Sequence, residues 1–191
     1  DTFSFSTTNL SGQSEFAKGN VKIWALKMPQ KYYRSALLTK GDKKYISKEV
    51  YENDFPLDVY EDENNQYKWE KNTKVYEYDF DTEKRQALEL YHLPEWKSGV
   101  YVLEAVTKDK YGEEVKEVKY FTVFGTTEKQ MPVNDIGWFT PIKNNGEPGE
   151  KAVFLIGSAA KNVKVKYEVE HENKIVHQEW ITINAEQKKI T

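Results

Sequence analysis

The chain has 191 residues, of which 38% are hydrophobic and 14% aromatic, a formal net charge of −3 and no cysteine. This apolar content is enough for a packed core and excludes a chain that is disordered over most of its length. The near balance of charge argues against a nucleic-acid or anionic-membrane partner, and the absence of cysteine excludes disulfides, thiolate metal sites and cysteine nucleophiles. No apolar run is long enough to span a bilayer, so we expect no membrane insertion.

Alternating apolar and polar residues predict short β-strands along the first 124 residues. The predicted strands are DTFSFSTT, NVKIWALKM, KVYEYDF, QALELYHL and the two arms of a hairpin over residues 99–124. Residues 43–54 are the best helical candidate. Short strands with polar turns between them are typical of an antiparallel β-sandwich, so the sequence predicts an all-β, immunoglobulin-like domain over 1–124.

The hairpin over 99–124 is predicted to close this domain. Its core-facing residues are predicted to be Tyr101, Leu103, Ala105, Phe121 and Val123. The segment KDKYGEE forms a solvated tip. The apolar alternation slips between Val115 and Val118, which predicts a β-bulge in the returning strand.

After Phe124 the composition changes. Residues 125–150 hold three of the six prolines and four of the ten glycines, and they are predicted to be a linker or interdomain segment. Interdomain contacts are expected from Met131, Ile136, Trp138 and Phe139. Residues 151–191 contain three or four predicted strands, with a turn at Asn173–Lys174 and a polar tail. That is too few strands for a sandwich, so we expect an incomplete second β-domain whose edges are covered by the first unit, by a neighbour or by distortion.

Two motifs that suggest catalysis or metal binding are better explained structurally. Ser158–Lys161 (SAAK) fits the S-x-x-K pattern of serine–lysine acylases, but Ser158 follows a strand and the companion motifs are missing, which favours a turn. The three histidines are His92, His171 and His177. His171 and His177 are too far apart along one strand to share a metal, and surface positions are expected.

Oxygen-rich and aromatic residues leave two binding hypotheses open. Residues 58–65 (DVYEDENN) gather carboxylates and amides that calcium favours, but they lack EF-hand spacing, so a solvated loop is the preferred interpretation. The five tryptophans, Trp24, Trp69, Trp96, Trp138 and Trp180, would suit either sugar stacking or a core. No pair of carboxylates is singled out for acid–base chemistry. We therefore assign no catalytic, cofactor-binding or metal-binding residue, and the sequence makes no positive case for an enzyme.

Three stretches taken in order resemble one protein family. They are FPLDVYEDENNQYKWEKNTKVYEYDFDT (55–82), LPEWKSGVYVLEAVTKDKYGEEVKEVKYFTVF (93–124) and EPGEKAVFLIGSAAKNVKVKYEVE (147–170). This order resembles the macroglobulin-like domains of bacterial alpha-2-macroglobulins, particularly those of the Bacteroides group. The resemblance implies one macroglobulin-like domain followed by part of a second, lying upstream of the bait region.

The resemblance implies a structural role in a protease inhibitor. Family members resemble traps in which a protease cuts a bait segment and is then enclosed or tethered. The thioester that many members carry requires cysteine, so no reactive residue is transferred to this chain. The family also implies a periplasmic or outer-surface location, with a lipid anchor in an N-terminal part that is missing here. The implied partners are neighbouring macroglobulin-like domains and, through the full-length protein, proteases.

Two alternatives belong to other functional classes. The first is a carbohydrate- or cell-surface-binding immunoglobulin-like module of a glycan-uptake system, in which Trp69 or Trp96 would contact the glycan. The second is an accessory β-domain of a hydrolase. Flanking sequence with a thioester motif would favour the inhibitor over both.

Overall fold

The computed structural model describes residues 2–34, 43–90 and 93–191, apart from the side chains of Thr2 and Pro94. Over these residues the chain is all-β, and every strand pair is antiparallel. The strands are β1 (Thr2–Ser4), β2 (Lys18–Leu26), β3 (Lys71–Asp81), β4 (Ala87–Glu89), β5 (Gly99–Lys108), β6 (Glu114–Val123), β7 (Trp138–Lys143), β8 (Val153–Ser158), β9 (Val163–His171), β10 (Lys174–Ile183) and β11 (Glu186–Ile190). The predicted all-β, sandwich-like fold class is confirmed.

A short helix lies where the best helical candidate was predicted. Helix α1 (Lys48–Asp54) begins after Ser47, whose hydroxyl accepts a hydrogen bond from the Val50 amide at 3.4 Å. This side chain satisfies one of the amides that a helix leaves unpaired at its start. Two single 3₁₀ turns, Gln66–Lys68 and Leu93–Glu95, complete the helical content of the described residues.

Packing divides the chain into two compact units. Unit 1 comprises Asp1–Lys27 and Trp69–Val123, and unit 2 comprises Met28–Lys68 and Phe124–Thr191. The segment that contains α1 therefore groups with the residues after Val123, although the predicted domain 1–124 includes it. The domain boundaries at 124 and 150 stay predictions.

Unit 1 is built on a four-stranded sheet in the order β3-β2-β5-β6. Its core cluster contains Val21, Ile23, Phe80, Leu88, Leu90, Tyr101 and Leu103. The two-stranded β1–β4 pair supplies the second layer, since Phe3 meets Phe121 at 5.2 Å and Phe5 stacks on Phe80 at 5.4 Å, measured between ring centroids. The period-2 pattern of apolar residues on β2 and β3 directs these side chains to one face of the sheet, whereas on β5 Val100 and Val102 are buried on the opposite face as well.

The β5–β6 hairpin keeps its predicted core face but has no bulge. Tyr101 and Leu103 are buried, and Ala105, Phe121 and Val123 pack against the core cluster. The pairing runs without a register shift from Gly99 opposite Val123 to Lys108 opposite Glu114. The predicted bulge is wrong because Val115 and Val118 lie on opposite faces of an exposed edge strand, where an apolar residue need not face the core.

Unit 2 contains a three-stranded sheet in the order β11-β8-β7. Strand β7 lies inside the segment predicted as a linker, and β11 lies in the predicted polar tail. Pro141 is tolerated in β7 because this strand is at the edge of the sheet, where a missing amide hydrogen costs least. Residues 151–191 thus contain four strands, β8 to β11, which is within the predicted three or four, and β7 adds a strand from the segment predicted as a linker.

A two-stranded ribbon, β9–β10, completes the strands of unit 2. Its turn is at Glu172–Asn173, where both residues have positive φ (49° and 60°) and His171 pairs with Lys174. The predicted turn at Asn173–Lys174 is therefore one residue too late. Most of β10 is exposed, including Trp180 and Ile175, until Ile183 enters the interior.

Candidate functional site

Ser158 and Lys161 do not form a serine–lysine pair. Ser158 is buried at the end of β8, and its hydroxyl accepts a hydrogen bond from the Ala160 amide at 3.1 Å. The chain then turns through Asn162, which has a φ of 56°, so Lys161 is not placed one helical turn after the serine. The predicted turn is confirmed, and the hydroxyl serves to fix it.

The acidic loop 58–65 is held by basic side chains. The Arg34 guanidinium contacts the Asp58 carboxylate at 2.7 Å. Lys48 of α1 contacts Glu61 at 3.4 Å and Glu63 at 3.1 Å. These ion pairs tie the loop to α1, and they place cations where a calcium ion would need free carboxylates.

The electrostatics of the loop follow from these contacts. Hydrogen bonds from Lys44 and Lys48 hold the pKa of Glu61 below its usual range. Burial raises the pKa of Glu63, but backbone amides and Lys48 outweigh it, so this pKa is also lowered. Among the described residues no group of three or more His, Cys, Asp or Glu side chains is placed to bind a metal ion.

Two of the three histidines lie on the β9–β10 ribbon. His171 is opposite Lys174 and His177 is opposite Val169, so the two rings are not directly paired. The Tyr167 hydroxyl donates to Glu179 at 2.6 Å and lies 3.2 Å from His177 Nε2. His92 lies outside the described residues. Both ribbon histidines are exposed, as the sequence predicts.

The tryptophans do not form a common platform. Trp24, Trp69, Trp96 and Trp138 are partly buried, whereas Trp180 has 66% of its surface exposed. The Trp96 ring stacks on buried Tyr101 at a centroid distance of 5.2 Å, and it packs against the core of unit 1. Trp96 therefore has a structural role in unit 1, which is the commoner use of a large aromatic side chain.

A shallow groove lies at one end of the four-stranded sheet of unit 1. Gly19 and Phe80 line it together with charged side chains of neighbouring strands. The Asp79 carboxylate accepts a hydrogen bond from the side-chain nitrogen Nδ2 of Asn20 at 2.7 Å, and the Asp81 carboxylate pairs with Lys18 at 3.3 Å. Asp79 and Asp81 of the groove therefore already have partners, and a third carboxylate, Glu114, also lines it.

Gln187 is a buried polar side chain of unit 2 that makes three hydrogen bonds, and the sequence does not reveal this role. Only 3% of its surface is exposed. Its Oε1 accepts a hydrogen bond from Trp138 Nε1 at 3.1 Å, and its Nε2 donates to the carbonyls of Gly125 at 2.9 Å and Glu128 at 3.0 Å. Segment 125–138 is thus fixed to β11, and it is part of unit 2.

The four residues expected to make interdomain contacts are in different environments. Met131 is buried, with its sulfur beside Gly157, and Trp138 is partly buried, with its ring against Phe124 at 5.6 Å. Ile136 is exposed, and Phe139 has 65% of its surface exposed. Phe139 is therefore the one of the four that is most available to a partner.

Phe139 belongs to a partly exposed apolar face of the three-stranded sheet. Directly paired residues share a face, and the pairing places Phe139 beside Ile156 and places Pro141 and Ile190 beside Phe154. Lys188 of β11 also lies on this face, paired with Ile156. The five apolar residues are called the Phe139 face. Phe139 and Pro141 are exposed, the other three are partly buried, and the Phe139 ring stacks on Phe154 at 5.3 Å.

The opposite face of the same sheet is packed. It carries Leu155, Gly157 and Gln187, all of them buried, and Trp138. A sheet with one packed face and one apolar, partly exposed face is typical of a sandwich that lacks part of its second layer. The Phe139 face is the strongest candidate interaction surface among the described residues.

Comparison of this chain with protein-family models, with curated proteins and with solved structures gives no match. No helix in the described ranges has both the length and the apolar character needed to cross a membrane.

Proposed function

We propose that this chain is a non-catalytic structural part of a bacterial alpha-2-macroglobulin-like protease inhibitor. In this proposal its units are macroglobulin-like, immunoglobulin-like β-domains, and they form part of the scaffold of a protease trap at the periplasmic or outer surface. The sequence resemblance over residues 55–170 supports the family, and the all-β fold is compatible with it.

The observation that carries the proposal is the Phe139 face. Burying the 65% of the Phe139 surface that is exposed would gain about 1 to 2 kcal/mol, so a matching apolar layer would bind here favourably. The occupant in this proposal is a neighbouring β-domain of the same parent protein. A scaffold role requires such permanent contacts between domains, whereas a catalytic role would require converging reactive groups.

Several polar side chains with chemical potential have structural partners, which supports a scaffold. Ser158 fixes a turn, Asp58, Glu61 and Glu63 of loop 58–65 contact arginine or lysine, and Asp81 pairs with Lys18. These groups stabilise local structure, and each would have to lose its partner before it acted on a substrate.

The proposal is tested with the full-length protein from which this chain derives. We expect the full-length protein to inhibit proteases and a deletion of this segment to lose inhibition. We also expect the isolated chain neither to cleave peptides nor to inhibit. Protease inhibition that survives deletion of the segment would contradict the scaffold role, and peptide cleavage by the purified chain would contradict its non-catalytic character.

A further inference from the structure

The loop between β7 and β8 carries the single Asn–Gly sequence of the chain, Asn145–Gly146. Both residues are exposed and lie outside helices and strands. Within the part of the chain that the structure describes, neither the Asn145 side chain nor the Gly146 amide takes part in a hydrogen bond. Nothing in the loop therefore holds the Asn145 side chain away from the following peptide nitrogen.

A carboxylate lies beside this peptide. Glu150 Oε2 accepts a hydrogen bond from the Glu147 amide at 3.0 Å, and it occupies the space where a side chain on residue 146 would begin. The hydrogen bond from the Glu147 amide is the larger cause of a lowered pKa of Glu150, and the hydrogen bond from Lys143 is the second cause. The Glu150 carboxylate is therefore ionised near neutral pH. Glycine leaves its own nitrogen open to approach because it has no Cβ.

We propose that Asn145 is a site of spontaneous deamidation through Gly146. The Gly146 nitrogen loses its proton to base and attacks Cγ of the Asn145 side chain. A new bond forms between the Gly146 nitrogen and Cγ, the Cγ–Nδ2 bond breaks, and Nδ2 takes up a proton and leaves as ammonia, which gives a five-membered succinimide. Water then opens the ring at either carbonyl and leaves aspartate or isoaspartate. One water is consumed, one ammonia is released, and no oxidant or reductant takes part.

Deamidation of Asn145 would alter the loop between β7 and β8, two strands of the sheet that carries the Phe139 face. The new carboxylate adds negative charge near the Lys143–Glu150 ion pair, which is 3.0 Å long. Isoaspartate also adds a methylene to the main chain between β7 and β8, the strands that this loop joins. This inference does not depend on the proposed function, because it follows from the loop alone.

Peptide mapping by mass spectrometry tests the site. The purified chain and a synthetic peptide of residues 141–150 are incubated together in mildly alkaline buffer, and the aspartate and isoaspartate products are separated. We expect Asn145 to convert in the folded chain at a rate close to that in the peptide. Conversion that occurs in the peptide but is lost in the folded chain would overturn the inference.

Matched variants test whether the reaction occurs at Asn145–Gly146. We expect Asn145→Gln to lose the products, Gly146→Ala to slow their formation, and Asn144→Gln to leave them unchanged. Circular dichroism confirms that each variant is folded, which is expected because all three positions are exposed. Products that persist in Asn145→Gln, or that vanish in Asn144→Gln, would show that Asn145 is not the site.

Discussion

Gln187 Oε1 accepts a hydrogen bond from the indole nitrogen of Trp138 at 3.1 Å, across the β11-β8-β7 sheet. The same glutamine donates to the carbonyls of Gly125 and Glu128, so its amide group joins the start of segment 125–138 to the end of that segment. One buried side chain thus organises a region whose composition resembles a linker.

Gln187→Leu is expected to destabilise the chain by about 2 to 3 kcal/mol, because it removes three hydrogen bonds from a buried position. Trp138→Ala should lower stability as well, since it removes one of these bonds and the contact with Phe124. Urea unfolding followed by circular dichroism measures the loss. Lys189→Ala, at an exposed position of the same strand, is the control. If Gln187→Leu unfolds at the same urea concentration as the control, Gln187 does not organise the region.

Two glycines of unit 2 provide a matched pair. A Cβ on Gly157 would lie 2.5 Å from the Met131 sulfur and 3.0 Å from the Gln187 Cα, whereas a Cβ on Gly137 would have nothing within 4 Å. We expect Gly157→Ala to cost about 1 to 3 kcal/mol through overpacking. Gly137→Ala should be neutral or stabilise by up to about 1 kcal/mol, because it restricts the unfolded chain. Thermal melts of both variants measure the difference, and equal melting temperatures would contradict the packing of Met131 on β8.

Glu104 on β5 lies between Lys71 of β3 and Lys116 of β6, with only 14% of its side chain exposed. Burial raises the pKa of Glu104, but hydrogen bonds from Lys116 and Lys71 outweigh it, so the pKa in the folded chain is lowered. A lowered pKa contributes stability above the unfolded-state value of about 4.3, and that stability is lost as the pH falls through the folded-state pKa.

Glu104→Gln is therefore expected to lower the free energy of unfolding by about 1 to 2 kcal/mol at neutral pH. The difference from the natural chain should shrink in acid, where Glu104 is protonated in both states. Unfolding titrations across acidic and neutral pH measure it, and Glu117→Gln on exposed β6 is the control. A difference that does not depend on pH would mean that the carboxylate charge is not the stabilising feature.

The tryptophans test the scaffold against the glycan-binding alternative, in which Trp69 or Trp96 would contact the glycan. Because the Trp96 ring stacks on Tyr101 and packs on the core, we expect Trp96→Ala to cost about 3 kcal/mol of stability. Trp180→Ala, at an exposed position of the ribbon, should leave stability unchanged. Glycan-array binding by the natural chain that is lost in folded Trp69→Ala or Trp180→Ala would favour the carbohydrate-binding module.

The sequence predicts the core of unit 1 but misses two strands of unit 2, β7 and β11, for identifiable reasons. Val21 and Ile23 of β2 alternate with Asn20 and Lys22, and this alternation indicates which face is buried. Strand β11 (EQKKI) lacks that pattern, because the buried side chain at its centre is Gln187 and its position is set by pairing with β8. Tertiary contacts determine where such a strand forms, and single-residue propensities do not.

The candidate site also depends on contacts that are distant in sequence. Residues 58–65 have the composition of a calcium loop, but Arg34, Lys44 and Lys48 approach them from outside the motif. The exposure of Phe139 follows from the pairing of β7 with β8, which the Gly- and Pro-rich composition of residues 125–150 conceals. Local patterns carry no information on either arrangement.

Hydrogen exchange on the isolated chain and on the full-length protein measures whether a neighbouring β-domain covers the Phe139 face, as we propose. We predict that the amides of β7 and β8 around Phe139 and Phe154 exchange more slowly in the full-length protein. We also predict that Phe139→Asp restores fast exchange there while leaving the stability of the isolated chain nearly unchanged. Equal exchange of β7 and β8 in the two proteins would contradict the claim.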